Sequence, residues 1–123
     1  MANGVVAVTE QRDGVFRKVS YEVVSEGRRI ADALSCALTV VVMGSDVETL
    51  AGEIQAFGAD RVLVLDDPGL ADYRTDAYVN GLSACLAPVD PAVVVLGATA
   101  QGIDLAPRLA ALLDAWLAMD CTA

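Results

Sequence analysis

Two periods of apolar residues alternate along this chain. Short β-branched runs recur at Gly4–Thr9, Ala37–Met43, Arg61–Leu65 and Ala92–Leu96. Gly, Pro or Asp bounds them, which marks buried strands rather than pieces of helix. Between the runs, apolar positions follow helical spacing. Val19, Val23, Ile30 and Leu34 form one stripe, with Glu22, Glu26, Arg28, Arg29 and Asp32 on the opposite side. Gly27 weakens that helix by about 1 kcal/mol against Ala. Val47, Leu50, Ile54 and Phe57 form the most continuous stripe. Ser45 and Glu48 stand before it at capping-box spacing, and Gly58 is placed to end it. A third helix is expected from Thr75 or Asp76, with Tyr78, Val79, Leu82 and Leu86 inward. A fourth opens near Gly102 and Asp104 and carries Leu105, Leu109, Leu112 and Leu113. Glu10–Gly14 reads as a turn, Val15–Lys18 as a short extension, and Asp66-Asp67-Pro68-Gly69 as a turn followed by a loop to Arg74.

The resulting order is β-α-β-α-β-α-β-α, with a fifth strand expected within Ala118–Thr122. Such alternation predicts a three-layer α/β/α, doubly wound, mostly parallel sheet of four to five strands. The 123 residues form one domain on this reading. Gly97, Ala98 and Thr99 follow the last main strand directly. They form a small-residue turn that leads into a helix N-terminus at the carboxyl edge of the sheet. That geometry presents backbone N–H groups to an anion. Thr99, Gln101, Gly102 and Asp104 are therefore the candidate residues for a phosphate or a partner's carboxylate. Capping is the competing role for Thr99 and Asp104, and it suits Asp104 better, because a carboxylate repels phosphate. Pro107 is expected in the first turn, where its missing N–H costs little.

Composition narrows the field. Apolar residues make up 55% of the chain, more than its surface alone requires. The excess belongs to a sheet covered on both faces or to a partner interface. No apolar run reaches the length of a membrane span, and the N-terminus has no basic and apolar leader pattern. Net charge is −9, from 8 basic and 17 acidic residues, which repels nucleic acid and anionic lipid. There is no histidine, so His-based triads and most zinc sites are excluded. Cys36, Cys85 and Cys121 have no metal or redox spacing. They read as small buried hydrophobes in a reducing, cytoplasmic setting. Asp66-Asp67 reads first as a solvated turn, with a divalent cation as the alternative. Neither dinucleotide-binding nor Walker motifs occur. Glu10 is alone where a phosphoacceptor domain carries an acidic pair, and Lys18 is the one lysine.

One segment supports a narrower reading. G-A-T-A-Q-G-I-D-L-A-P-R-L-A-A-L-L, residues 97–113, resembles the end of the first domain of the electron transfer flavoprotein alpha subunit. That family usually reads G-A-T, two variable residues, G-R-D-L-A-P-R, then A-A-x-L. Ile103 replaces its usual Arg, and Asp114 and Trp116 stand where Gly is usual. The resemblance continues in VVAVTE ending at Glu10, in R-R-I-A-D-A-L at 28–34, in F-G-A-D-R-V-L-V-L-D-D-P at 57–68, and in M-D-C-T at 119–122. It implies a domain of the adenine nucleotide alpha hydrolase-like, Rossmann-like class within an electron carrier rather than an enzyme. It further implies a heterodimer with a beta subunit. FAD would be held mainly by a second, C-terminal domain absent from this chain, and electrons would pass from dehydrogenases to a quinone or other acceptor. This chain would then be the structural and docking part, and a homodimer is conceivable in isolation. The competing reading is a self-standing adenine-nucleotide-binding domain.

Overall fold

The structure is a computed structural model that describes residues 4–113 and 115–120. Asp114, Cys121 and Thr122 lie outside the described residues. Five strands form one parallel sheet: β1 (Val5–Val8), β4 (Leu38–Gly44), β5 (Arg61–Asp66), β6 (Val93–Gly97) and β7 (Trp116–Asp120). Their order across the sheet is β5-β4-β1-β6-β7. The crossover helices are α1 (Lys18–Leu34), α2 (Glu48–Ala56), α3 (Thr75–Leu86) and α4 (Ala100–Leu112). The expected doubly wound, three-layer architecture is the one observed, with the fifth strand present. That strand begins at Trp116, ahead of the Ala118 start expected from sequence.

The burial pattern explains the layers. All four residues of β1 are buried, and so are all seven of β4. Period-two alternation then divides them between two cores. Val5, Ala7, Leu38, Val40, Val42 and Val95 pack with residues of α1 and α2. Val6, Val8, Val41, Met43, Val94 and Leu96 pack with residues of α3 and α4. The chain first winds outward from β1 to β4 and β5, then returns past β1 to β6 and β7. Crossovers of one hand run in opposite directions, so their helices cover opposite faces. The reversal point lies between β1 and β6.

Gly27 has a packing role. A Cβ there would stand 2.9 Å from Leu38 Cδ1 and 3.4 Å from Ala7 Cβ. The missing side chain lets α1 lie close against β1 and β4. Asp60 ties the opposite edge: it accepts from the Leu38 N–H at 2.8 Å and from Arg28 Nη1 at 2.9 Å. These two partners, the Leu38 N–H first, hold its carboxyl below the ordinary range.

Several sequence expectations need correction. Residues 11–16 contain a two-stranded hairpin, β2 (Gln11–Arg12) with β3 (Val15–Phe16), rather than a turn and an extension. Asp13 and Gly14 both have positive φ, 54° and 78°, which the Asp-Gly pair supplies readily. Ser45 does not cap α2. The helix starts later, at Glu48, and the Asp66 carboxylate takes the Asp46 and Val47 N–H groups at 2.8 and 3.0 Å. Leu34, Phe57 and Leu112 belong to the inward stripes by spacing but are exposed, at 54%, 48% and 58%. Each sits at a helix end, past the part that lies over the sheet. Cys36 and Cys85 are free and half-buried rather than buried. Burial pushes the Cys85 thiol up. Among the described residues, no helix is long and apolar enough to cross a membrane.

G27A is expected to be close to neutral. The propensity gain of about 1 kcal/mol opposes an overlap that the Leu38 side chain can relieve by moving. G102A is expected to cost about 3 kcal/mol, because a Cβ at Gly102 would fall on the Gly97 carbonyl oxygen, which is backbone. Urea unfolding of the two variants measures the contrast. Equal destabilisation would contradict these packing assignments.

Candidate functional site

β1 and β6 point their carboxyl ends at the reversal point, and the segments after them converge there. Glu10 follows β1 and is 4% exposed. Its backbone is fixed twice by Ser20 of α1: the Glu10 N–H donates to Ser20 Oγ at 2.8 Å, and that hydroxyl donates to the Glu10 carbonyl at 2.5 Å. The Arg17 N–H also donates to this carbonyl, at 2.9 Å. The Glu10 carboxylate is thereby aimed across the crevice. Its Oε1 accepts from Arg17 Nη1 at 2.9 Å, and its Oε2 accepts from the Thr99 hydroxyl at 2.5 Å.

Thr99 is the N-cap of α4. Its backbone is extended, and its Oγ1 accepts from the Gly102 N–H at 3.0 Å. One hydroxyl therefore accepts from the helix and donates to Glu10. Two glycines make the approach possible. A Cβ at Gly97 would meet Val19 Cγ2 at 2.5 Å and Glu10 Oε2 at 3.4 Å. Gly102 passes directly over the Gly97 carbonyl. The two glycines of G-A-T-x-x-G thus serve two approaches: Gly97 admits Val19 of α1, and Gly102 brings the start of α4 onto the end of β6.

The four candidate residues separate into three locations. Thr99 and Gly102 belong to the Glu10 crevice. Gln101 lines a polar cleft of about 180 Å³ beside it, together with Arg12, Arg17 and Tyr73. Asp104 has partners of its own, outside the Glu10 bonds. Its Oδ2 accepts from the Tyr73 hydroxyl at 2.5 Å and from the Thr75 hydroxyl at 2.6 Å, and Arg108 Nε lies 3.8 Å from Oδ1. Asp104 therefore does not cap α4. It clamps that helix to the segment entering α3. Pro107 is also displaced from its expected place: α4 begins at Ala100, so Pro107 lies inside the helix rather than in its first turn.

Sequence reasoning missed Glu10, Arg17, Ser20 and Tyr73 as members of this edge. A carboxylate directly after a buried strand was the available signal, because strand ends of a doubly wound sheet collect there. The Asp66-Asp67 pair is divided between two structural tasks. Asp66 holds the start of α2, and Asp67 accepts from the Gly69 N–H at 2.7 Å. Among the described residues, no group of three His, Cys, Asp or Glu side chains is placed to hold a metal ion.

Removing the Thr99 hydroxyl takes away a cap and leaves Glu10 short of a donor. T99V is expected to lose about 2–4 kcal/mol of stability, and T99S to recover most of it, in urea titrations. The clamp has its own signature. Burial first, and the bond to Asp104 second, push the Tyr73 phenol up to about 12. The folded protein holds this proton more tightly than the unfolded chain, whose tyrosine titrates near 10.0. The stabilisation present below that value is therefore lost as pH rises toward 12. Asp104 is shifted the other way, lowered by Thr75 first and Tyr73 second. Its contribution exists above the ordinary carboxylate value and is lost as pH falls through the lowered one. Y73F is expected to flatten the alkaline part of the stability profile relative to the wild type. An unchanged slope would remove Tyr73 as its source.

With this geometry in place, comparison with known proteins is specific. Residues 5–123 match the family model described as the electron transfer flavoprotein domain. Protein FixB of Clostridium saccharobutylicum is 44% identical over 119 residues, 97% of this chain and 35% of that protein. The acryloyl-CoA reductase electron transfer subunit beta of Anaerotignum propionicum is 42% identical, over 92% of this chain and 31% of that one. The electron transfer flavoprotein subunit alpha of Clostridium acetobutylicum is 39% identical, over 97% of this chain and 35% of that one. The chain spans about a third of the length of these curated relatives. Among solved structures, a universal stress protein from Archaeoglobus fulgidus aligns with a TM-score of 0.62, covering 97% of this chain and 94% of that one at 12% identity. A universal stress protein in complex with cAMP aligns at 0.58 and 19% identity, over the whole of both chains. At such identities these two neighbours show the fold alone. The family match over nearly the whole chain is decisive: this protein belongs to the electron transfer flavoprotein family.

Proposed function

We propose that this chain is the N-terminal domain of an electron transfer flavoprotein alpha subunit and serves as its structural and docking part. The carrier it belongs to takes electrons from dehydrogenases and delivers them to a quinone or another acceptor. The flavin of that carrier, FAD, is bound mainly by sequence outside this domain, and the partner is a beta subunit. On this reading the domain is part of a carrier and not an enzyme. It comprises residues 1–123 and works in the cytoplasm.

The observation that carries the docking role is the distribution of exposed apolar side chains. Among the described residues, six large hydrophobics are strongly exposed, and three of them, Ile103, Leu112 and Trp116, lie on α4 and β7. Their exposures are 61%, 58% and 81%. Ile103 also lines a shallow depression of about 770 Å³ on the outer face of α4, with Ala100, Pro107 and Ala111 and the charged Asp104 and Arg108. Ala100, Ile103, Pro107 and Ala111 recur at helical spacing and form one apolar face of α4 on a chain of net charge −9, a face suited to partner contact, whereas Leu112 lies half a turn round the helix from Ile103. The closed hydrogen bonding of Glu10, Thr99 and Asp104 supports a scaffold role over a flavin site at this edge.

Titration calorimetry of the chain against the cognate beta subunit tests the proposal. Saturable binding is expected. I103D is expected to weaken it about tenfold or more, because it places a charge in an apolar contact, while the thermal midpoint of the domain stays unchanged. Light scattering at two concentrations separates this from self-association through the same surface. Absence of heterodimer binding together with a concentration-dependent homodimer would replace the docking role by self-association of this chain.

A further inference from the structure

The reversal point of a doubly wound sheet is where such folds receive phosphate-bearing ligands. Helix N-termini and strand ends open a crevice there. In this protein the position already contains an anion. Glu10 is 96% withdrawn from solvent by its 4% exposure. Both its carboxylate oxygens are engaged, one by Arg17 and one by the capping hydroxyl of Thr99. Its backbone is locked to Ser20 on both sides of the residue. Oε2 lies beside Gly97, where a Cβ would stand in ordinary contact with it at 3.4 Å, while Val19 of α1 crowds the same position at 2.5 Å. A carboxylate held by a cap hydroxyl and a guanidinium at the start of a helix takes the electrostatic place of a bound phosphate.

We propose that Glu10 is an intramolecular ligand that closes the reversal-point crevice to phosphate-bearing molecules. Thr99 and Arg17 are the donors it occupies. The crevice keeps the anion-binding geometry of its fold, while one side chain supplies the anion and its negative charge repels a second one. This inference concerns the crevice alone and does not depend on the docking role of α4 and β7. Beta-subunit binding and anion binding are separate readouts, and either can fail without the other.

The test uses the whole chain and two probes, AMP and inorganic phosphate, followed through the Thr99 and Gly102 amide resonances and the thermal midpoint. The wild type is expected to show no saturable response. E10A removes the internal carboxylate and frees Arg17 and Thr99, so it is expected to bind phosphate and AMP at least about tenfold more tightly than the wild type. The double variant E10A/R17L is expected to lose that gain. E10S, which removes the carboxylate but leaves a small polar group, provides a second route should E10A not fold. Saturable binding to the wild type that shifts Thr99 and Gly102 would overturn the proposal. A folded E10A or E10S without gained affinity would also overturn it, as would a gain that survives loss of Arg17. Should neither variant fold, the wild-type titration decides by itself: silence at these amides supports closure, and a saturable shift refutes it.

Discussion

A parallel sheet has no face to give to water, and most features of this protein follow from that constraint. β1 and β4 bury every residue they contain, so helices must cover both sides. Helices can cover both sides with one crossover hand only if the chain reverses its direction of travel across the sheet. Reversal brings two strand ends side by side without a crossover between them. The Glu10–Thr99 pair stands in that gap, linking residues 89 positions apart in sequence. The polar knot is therefore a consequence of the buried sheet, and the glycines around it are the steric condition for closing it.

Much of the fold was legible because its causes are local. β-Branched runs between Gly and Pro, and helical stripes such as Tyr78, Val79, Leu82 and Leu86, encode both element type and inward face. All four of those residues are buried. The errors occurred where a distant group prevailed over a local one. Ser45 and Glu48 are correctly spaced for a capping box, but Asp66 arrives from the end of β5 and binds the Asp46 and Val47 N–H groups, and the helix opens only at Glu48. Leu34 and Leu112 fit their stripes, yet a stripe does not reveal where the neighbouring sheet stops. Asp104 followed the same rule: Tyr73 and Thr75 lie about thirty positions earlier, at separations of 31 and 29. No spacing along α4 reports them. The candidate site was legible at Thr99 and Gly102, whose roles are set within one turn of the chain. It was not legible at Glu10, whose importance depends on which strands become neighbours.

The two ends of the last crossover have different characters. At the carboxyl edge, polar groups are matched to one another within the domain. On the outer face of α4 and at the start of β7, apolar groups are left unmatched. Ile103 and Trp116, two of the positions at which the sequence departs from the family pattern, are also two of the most exposed hydrophobics. These two departures fall on the surface and leave the Glu10 crevice untouched.

Pro107 adds a directional element to that apolar face. Having no N–H, it withholds the donor that the carbonyl of Ile103 would otherwise meet one turn later. Both residues are exposed on the same side of α4. The same strip carries charge as well, because Asp104 and Arg108 line it beside Ala100, Ile103, Pro107 and Ala111. Where the link from Ile103 to Pro107 is missing, α4 bends most easily.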